Sequence, residues 1–275
     1  MSTATYPLHF PAGASTPLLT VTRPKTAVWQ IELHNGADSR LTRDLIDGAF
    51  KPALDVVEKD WRDGWRAAAA SKNKNETGGA GSLVIIGNRA QDKFFSNGFD
   101  YPSVIADPNW FTLTFNPLLL RLLTFPVPTV VAINGHCFAA GCIISLACDY
   151  RVMTDGSKRN AWMFILALLG RRPSPTFCAQ KVPRSTIQRK VALEGHRFTP
   201  QEAVDAELVD ELVSGGTEDI LRRAIDLAQA KTGLASKGVW GLIKTELYRT
   251  VMEGAQRDIR AVTLAMDDAA AKARL

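Results

Sequence analysis

Two short apolar runs, each leading into a segment of small residues, restrict the fold of this chain more than any other feature. Residues 82–87 (Ser-Leu-Val-Ile-Ile-Gly) and 128–133 (Pro-Thr-Val-Val-Ala-Ile) are uncharged and rich in β-branched side chains, the pattern of a buried strand. The first leads to Phe94-Phe95-Ser96-Asn97-Gly98-Phe99-Asp100, the second to Asn134-Gly135-His136-Cys137-Phe138-Ala139-Ala140-Gly141-Cys142. Small residues where a strand ends can expose backbone N–H groups. Two such ends converging on one point would polarise a carbonyl and stabilise the enolate oxygen that forms when a neighbouring C–H is broken. An oxyanion hole is therefore the first functional expectation.

The rest of the chain alternates strand and helix patterns, which predicts an α/β fold. Residues 18–33 read as a hairpin around Arg23-Pro24-Lys25. Residues 40–65 carry apolar side chains at helical spacing, with Ser39 as a cap and Pro52 as a bend or interruption. Residues 72–81 predict a flexible surface loop. Residues 101–125 predict helical pieces separated by Pro108 and Pro117, covering one end of a pocket. After Thr199 the pattern is largely helical, over 200–206, 218–231 and a long amphipathic run from 237 to 271. The expected organisation is a catalytic core over 1–199 and a helical C-terminal extension over 200–275, used in packing and oligomerisation.

With 275 residues and 46% hydrophobic composition, the chain can bury one large core. Its net charge of +5 suits an anionic ligand. No Lys/Arg-rich block or aromatic-basic motif accompanies that charge, so nucleic acid is not an expected partner. Cys137, Cys142, Cys148 and Cys178 read as reduced core thiols, without the paired spacing of a zinc site, and no metal is expected. The N-terminal residues lack the pattern of a secretory signal. No apolar stretch reaches the roughly 20 residues of a membrane span, the longest candidate being 160–170. Ala273-Arg274-Leu275 fits the small-basic-leucine form of a peroxisomal address. The expected location is peroxisomal, through the import receptor, or cytoplasmic where that signal is not used.

At the two turn segments the chain resembles the crotonase superfamily, the enoyl-CoA hydratases and isomerases. It is most similar to the Δ3,Δ2-enoyl-CoA isomerase branch of plant and fungal peroxisomes. A third segment, Leu193-Glu194-Gly195-His196-Arg197-Phe198-Thr199-Pro200-Gln201-Glu202-Ala203, resembles that branch's later helix entry, and the similarity runs from about Thr20 to Val213. The resemblance implies a crotonase fold, a spiral of ββα units with a helical C-terminal region, assembled as a homotrimer or hexamer. It implies that the two donors are the N–H groups of Phe99 and Ala140. Coenzyme A enters as part of the substrate, with no separate cofactor, held near Ser96, Asn97, Gly98, Asp100 and Gly141. Lys93, with Arg23 or Lys25, is the expected phosphate partner.

The same resemblance exposes a loss. The first glutamate position of the hydratases, just after Gly141-Cys142, is Ile143 here. The isomerase glutamate lies four residues before a glycine, and Leu166 holds that place before Gly170, with Leu168 at the neighbouring acidic position. An aliphatic side chain cannot carry a proton. Among replacements, His136 has a suitable pKa, whereas Asp100 and Asp149 read as structural carboxylates and Tyr101 as a weak candidate. Three functions follow: an isomerase-type enzyme with a relocated base, a repurposed crotonase that cyclises or rearranges a polyene or polyketide without a general base, and a non-catalytic acyl-CoA-binding subunit.

Overall fold

The computed structural model describes residues 4–71, 78–158, 161–164, 175–182, 184–256 and 264–274. The chain opens with an antiparallel meander of β1 (Leu8–Phe10), β2 (Leu19–Lys25) and β3 (Val28–Leu33). A π-helical turn over Asp44–Phe50 then runs directly into α1 (Lys51–Ala70). Pro52 does not interrupt this helix, contrary to the sequence expectation. It sits in the first turn of α1, where the hydrogen-bond register changes from π to α and no donor is required of it. Ser39 is not the cap either: the residue preceding the helical stretch is Arg43.

Beyond α1 the chain repeats one ββα unit three times. The first unit is β4 (Ser82–Ile86) and β5 (Phe94–Ser96), followed by α2 (Tyr101–Ala106), a π-helical turn (Trp110–Phe115) and α3 (Asn116–Leu123). The second is β6 (Thr129–Ile133), β7 (His136–Phe138) and α4 (Ala140–Ala147). The third is β8 (Tyr150–Thr154), β9 (Met163–Phe164) and α5 (Pro175–Lys181). In each unit the first strand joins one sheet and the second joins another. The larger sheet runs β1-β2-β3-β4-β6-β8-β11, parallel from β3 onward, and the smaller runs β10-β9-β7-β5.

The remaining elements are α6 (Ser185–Ala192), β10 (Arg197–Phe198), α7 (Pro200–Asp205), β11 (Glu211–Val213), α8 (Thr217–Lys231), α9 (Trp240–Leu247), α10 (Arg249–Gln256) and α11 (Leu264–Arg274). Residues 200–275 therefore supply more than helices: β11 pairs with β8 at the edge of the larger sheet. The helical run expected from 237 breaks at Tyr248, between α9 and α10.

Period-two burial explains the layers. Leu83 and Ile85 of β4 face a core shared with Leu54 and Trp61 of α1, while Val84 and Ile86 face Ile220, Leu221, Ala224 and Ala228 of α8. Each such aliphatic side chain, fully withdrawn from water, contributes about 1.5–3 kcal/mol. The end of the expected surface loop is also packed: Gly79 accepts from Trp61 Nε1 at 2.7 Å, and Gly81 lies against Trp61 and Trp29. Residues 72–77 of that loop lie outside the described residues.

Candidate functional site

β5 and β7 are parallel neighbours in the smaller sheet, and both turn segments leave the same ends of those strands. The first turn is clamped from outside. Ser96 Oγ donates to the Ser39 carbonyl at 2.7 Å and accepts from the Gly98 N–H at 3.2 Å. The Asn97 N–H reaches the Asp38 carbonyl at 3.0 Å, and its side chain donates to Asp38 Oδ2 at 3.0 Å. Leu41 N–H takes the Gly98 carbonyl at 2.8 Å, and Arg40 Nη1 takes the Phe99 carbonyl at 2.8 Å. Burial pushes the Asp38 carboxyl up, but hydrogen bonds from Asn97 and Arg40 outweigh it and hold the group below the usual range. With these groups spoken for, the Phe99 N–H meets no acceptor among the described residues.

The second turn carries strain. Ala139 adopts φ 49° and ψ −119°, a conformation costly for a residue with a Cβ, and so redirects the chain from β7 into α4. Ala140 is the first residue of that helix, so its N–H has no partner within it.

Two glycines let the turns meet. A Cβ on Gly98, which has φ +82°, would lie 2.8 Å from Ala139 Cβ and 3.2 Å from Ala140 N. One on Gly141 would lie 2.7 Å from Ser96 Cβ. Glycine is required at both places because the Cβ and backbone atoms of the facing turn occupy the space a side chain would need. The contact brings the turn that carries Phe99 against the turn that carries Ala140.

Around it the surroundings are apolar. The Phe99 ring packs edge to face on Trp110, Phe111 and Phe115, with centroids 5.7, 5.8 and 4.7 Å away. Ile143 is buried in α4 and offers no proton-carrying group. Leu166 and Leu168 lie outside the described residues. Phe164, which precedes that segment, pairs with Phe138 of β7.

His136 stacks on Phe138, 4.9 Å between centroids, with Phe94 on another side at 5.4 Å. Its Nδ1 is buried without a partner among the described residues. Burial, then the charges of Lys93 and Arg197, lower its pKa below the ordinary 6.5, so the ring is neutral near pH 7. Lys93 is its neighbour: the Lys93 carbonyl accepts the His136 N–H at 2.8 Å, and the ammonium lies 5.3 Å over the Phe94 ring.

Arg23 and Lys25 are not brought to this place. They sit where β3 and β4 begin, whereas Lys93 lies beyond the end of β4, because β2 runs antiparallel to β3. Arg23 pairs with Asp60 at 3.6 Å and covers Trp29, and Lys25 pairs with Asp226 at 2.8 Å. Asp100 accepts from Ser103 at the start of α2, and Tyr101 is exposed. Asp149 is an anchor: it accepts from Thr129 N–H at 2.9 Å and pairs with buried Lys244 of α9 at 2.9 Å. The cysteines are free thiols, with Cys137, Cys142 and Cys148 buried.

Sequence reasoning missed the clamp of Asp38, Ser39, Arg40 and Leu41. Its partners lie 57 to 59 residues away and carry no local signal.

Comparison with known proteins agrees with this architecture. The sequence pattern of the family described as Enoyl-CoA hydratase/isomerase matches residues 71–266. The chain is 28% identical over 180 residues to "Enoyl-CoA delta isomerase 3" of Arabidopsis thaliana, covering 61% of this chain and 74% of that protein. It is 30% identical over 181 residues to "Enoyl-CoA delta isomerase 2, peroxisomal" of the same plant, with coverage of 61% and 74%. A solved enoyl-CoA hydratase from Mycobacterium marinum shares the fold with a TM-score of 0.64 at 22% identity, covering 87% of this chain and 95% of that one. An enoyl-CoA hydratase/isomerase family protein from Pseudomonas syringae gives 0.66 at 20% identity, covering 86% and 93%. The pattern match spans more than half of the residues, and on that ground the chain belongs to the enoyl-CoA hydratase/isomerase family, with its crotonase fold.

Proposed function

We propose that this protein is an isomerase-like member of its family that holds an acyl-CoA thioester oxygen between the N–H groups of Phe99 and Ala140. The observation that carries the reading is the direct contact of the two turns, with Gly98 against Ala139 and Ala140. Two fixed donors in an apolar surrounding stabilise the oxygen on which charge develops as a C–H next to the carbonyl breaks. Donors fixed in advance need no reorganisation at that moment.

The proton is handled without the usual glutamate. Ile143 is apolar, and Leu166 holds the isomerase position in the sequence. In this reading His136, kept neutral by burial, is the proton acceptor. Lys93 faces the coenzyme A phosphates from the edge of the same sheet. A homotrimer or hexamer is supported by the apolar surface of α9, where Leu242, Ile243 and Leu247 are exposed. Peroxisomal residence is supported by the names of two plant relatives.

A second reading draws on the same lack of a carboxylate: a repurposed crotonase in which polarisation and confinement alone drive a cyclisation or rearrangement. Calorimetric titration with free CoA and with a medium-chain acyl-CoA, followed by an assay of 3-enoyl-CoA isomerisation, tests the two together. Tight acyl-CoA binding with turnover supports the isomerase-like reading. Binding without turnover favours the repurposed enzyme or a non-catalytic acyl-CoA-binding subunit, and absence of binding removes the acyl-CoA assignment.

A further inference from the structure

Trp110, at the start of the π-helical turn, is 1% exposed, yet its Nε1 meets no acceptor among the described residues. Other indoles here are satisfied: Trp29 donates to Asp60 at 3.0 Å, Trp61 to the Gly79 carbonyl at 2.7 Å and Trp240 to Asp149 at 3.4 Å. A buried donor left unmade carries a desolvation penalty, so its retention calls for a use. The ring lies edge to face on Phe99, 5.7 Å between centroids, so the indole packs directly against a side chain of the first turn. The Arg43 guanidinium lies 5.9 Å from the indole centroid, and its charge is taken by Asp107. Phe99 also packs edge to face on the rings of Phe111 and Phe115.

We propose that Trp110 Nε1–H selects acyl thioesters that carry a neutral hydrogen-bond acceptor, a keto or hydroxyl oxygen, on the acyl chain. The inference rests on the reading that Phe99 and Ala140 hold the thioester carbonyl. A carboxylate does not suit the place, because among the described residues no uncompensated cation accompanies the indole and a buried charge without one is costly. A plain hydrocarbon chain leaves the N–H unmade, which is the difference the site reads.

The test titrates the full-length protein with free CoA and with acyl-CoAs of one chain length that are plain, hydroxylated or oxo-substituted. The wild type should bind one or both oxygenated ligands about 10- to 100-fold more tightly than the plain one. Whether the hydroxy or the oxo ligand gains more separates the two sources of the acceptor. Trp110→Phe keeps an aromatic ring and should lower affinity for the oxygenated ligands by about 10- to 100-fold more than for the plain one, abolishing the preference. In ¹⁵N-tryptophan-labelled wild type, the Trp110 Nε1–H resonance should move with an oxygenated ligand and stay with the plain one, a readout that does not depend on the variant folding. Equal affinity for all the acyl-CoAs, an unmoved resonance, or a variant that weakens all ligands alike overturns the proposal and leaves the functional reading standing. Failure of every acyl-CoA to bind removes that reading, and the proposal with it.

Discussion

Gly98 and Ala139 touch where two strands of the smaller sheet end, and the space between them leaves no room for a methyl group: a Cβ on Gly98 would stand 2.8 Å from Ala139 Cβ. Gly98 also holds φ +82°, which a side chain would strain. Gly98→Ala should therefore destabilise the fold by about 1–3 kcal/mol, the usual scale of overpacking. It should lower turnover by about 100-fold, as expected when reacting groups move by about 1 Å. Denaturant unfolding beside steady-state kinetics separates the two effects. A variant of native stability and rate would mean that the contact between the turns is not needed.

Leu166, outside the described residues, stands in the sequence where the isomerase branch has its glutamate. Leu166→Glu should raise the rate of Δ3 to Δ2 isomerisation. The uncharged run around it, from Ala161 to Gly170, should push the new carboxyl's pKa up, so the gain should grow with pH until the group ionises. Rates followed across pH in both proteins check this, and an unchanged or lower rate at every pH counts against the positional match.

Helix α9 is tied to the residue that precedes β8 by a buried ion pair. Lys244 of α9 meets Asp149 at 2.9 Å with both side chains withdrawn from water. Lys244→Met leaves the carboxylate with only its hydrogen bonds and should cost about 3–5 kcal/mol. Lys244→Met combined with Asp149→Asn should recover part of that loss. Thermal unfolding of the single and double variants measures both.

His136 has a folded pKa lowered below 6.5 by burial and by the charges of Lys93 and Arg197. Between that lowered value and 6.5 the unfolded chain binds more protons than the folded one, so stability rises with pH through this window. The contribution is complete above 6.5 and is lost as pH falls through the folded value. His136→Phe should flatten the acid limb of the stability profile, leaving the share of His34, whose pKa burial also lowers. It should reduce turnover as well. In the wild type, kcat/KM should rise with pH through the lowered pKa and then level off.

How much of this was legible in the sequence depended on range. The run 82–87 became β4 (Ser82–Ile86) and the run 128–133 became β6 (Thr129–Ile133), since uninterrupted β-branched residues leave few alternatives to a buried strand. The two turns were legible as small-residue segments after buried strands, whereas the choice of Phe99 and Ala140 as donors came from the resemblance to the family. The strap that clamps the first turn was not, because Ser39 earns its place through Ser96, 57 residues away. The separation of Arg23 and Lys25 from Lys93 was equally hidden. Charge is visible in a sequence, but which end of a sheet it occupies depends on strand direction. Strands as short as β9 and β10, two residues each, carry no periodicity to read.

The proposed polarisation of one carbonyl by Phe99 and Ala140 is testable by isotope-edited infrared difference spectroscopy, using an acyl-CoA labelled with ¹³C at the thioester carbon. On binding, the carbonyl stretch should fall to lower frequency. In Ala140→Pro, which lacks one of the two N–H groups, that shift should shrink and turnover should drop by about 100- to 1,000-fold, with circular dichroism checking that the fold is intact. A thioester that binds the wild type with its carbonyl stretch unshifted would contradict the assignment of these two residues as the donors.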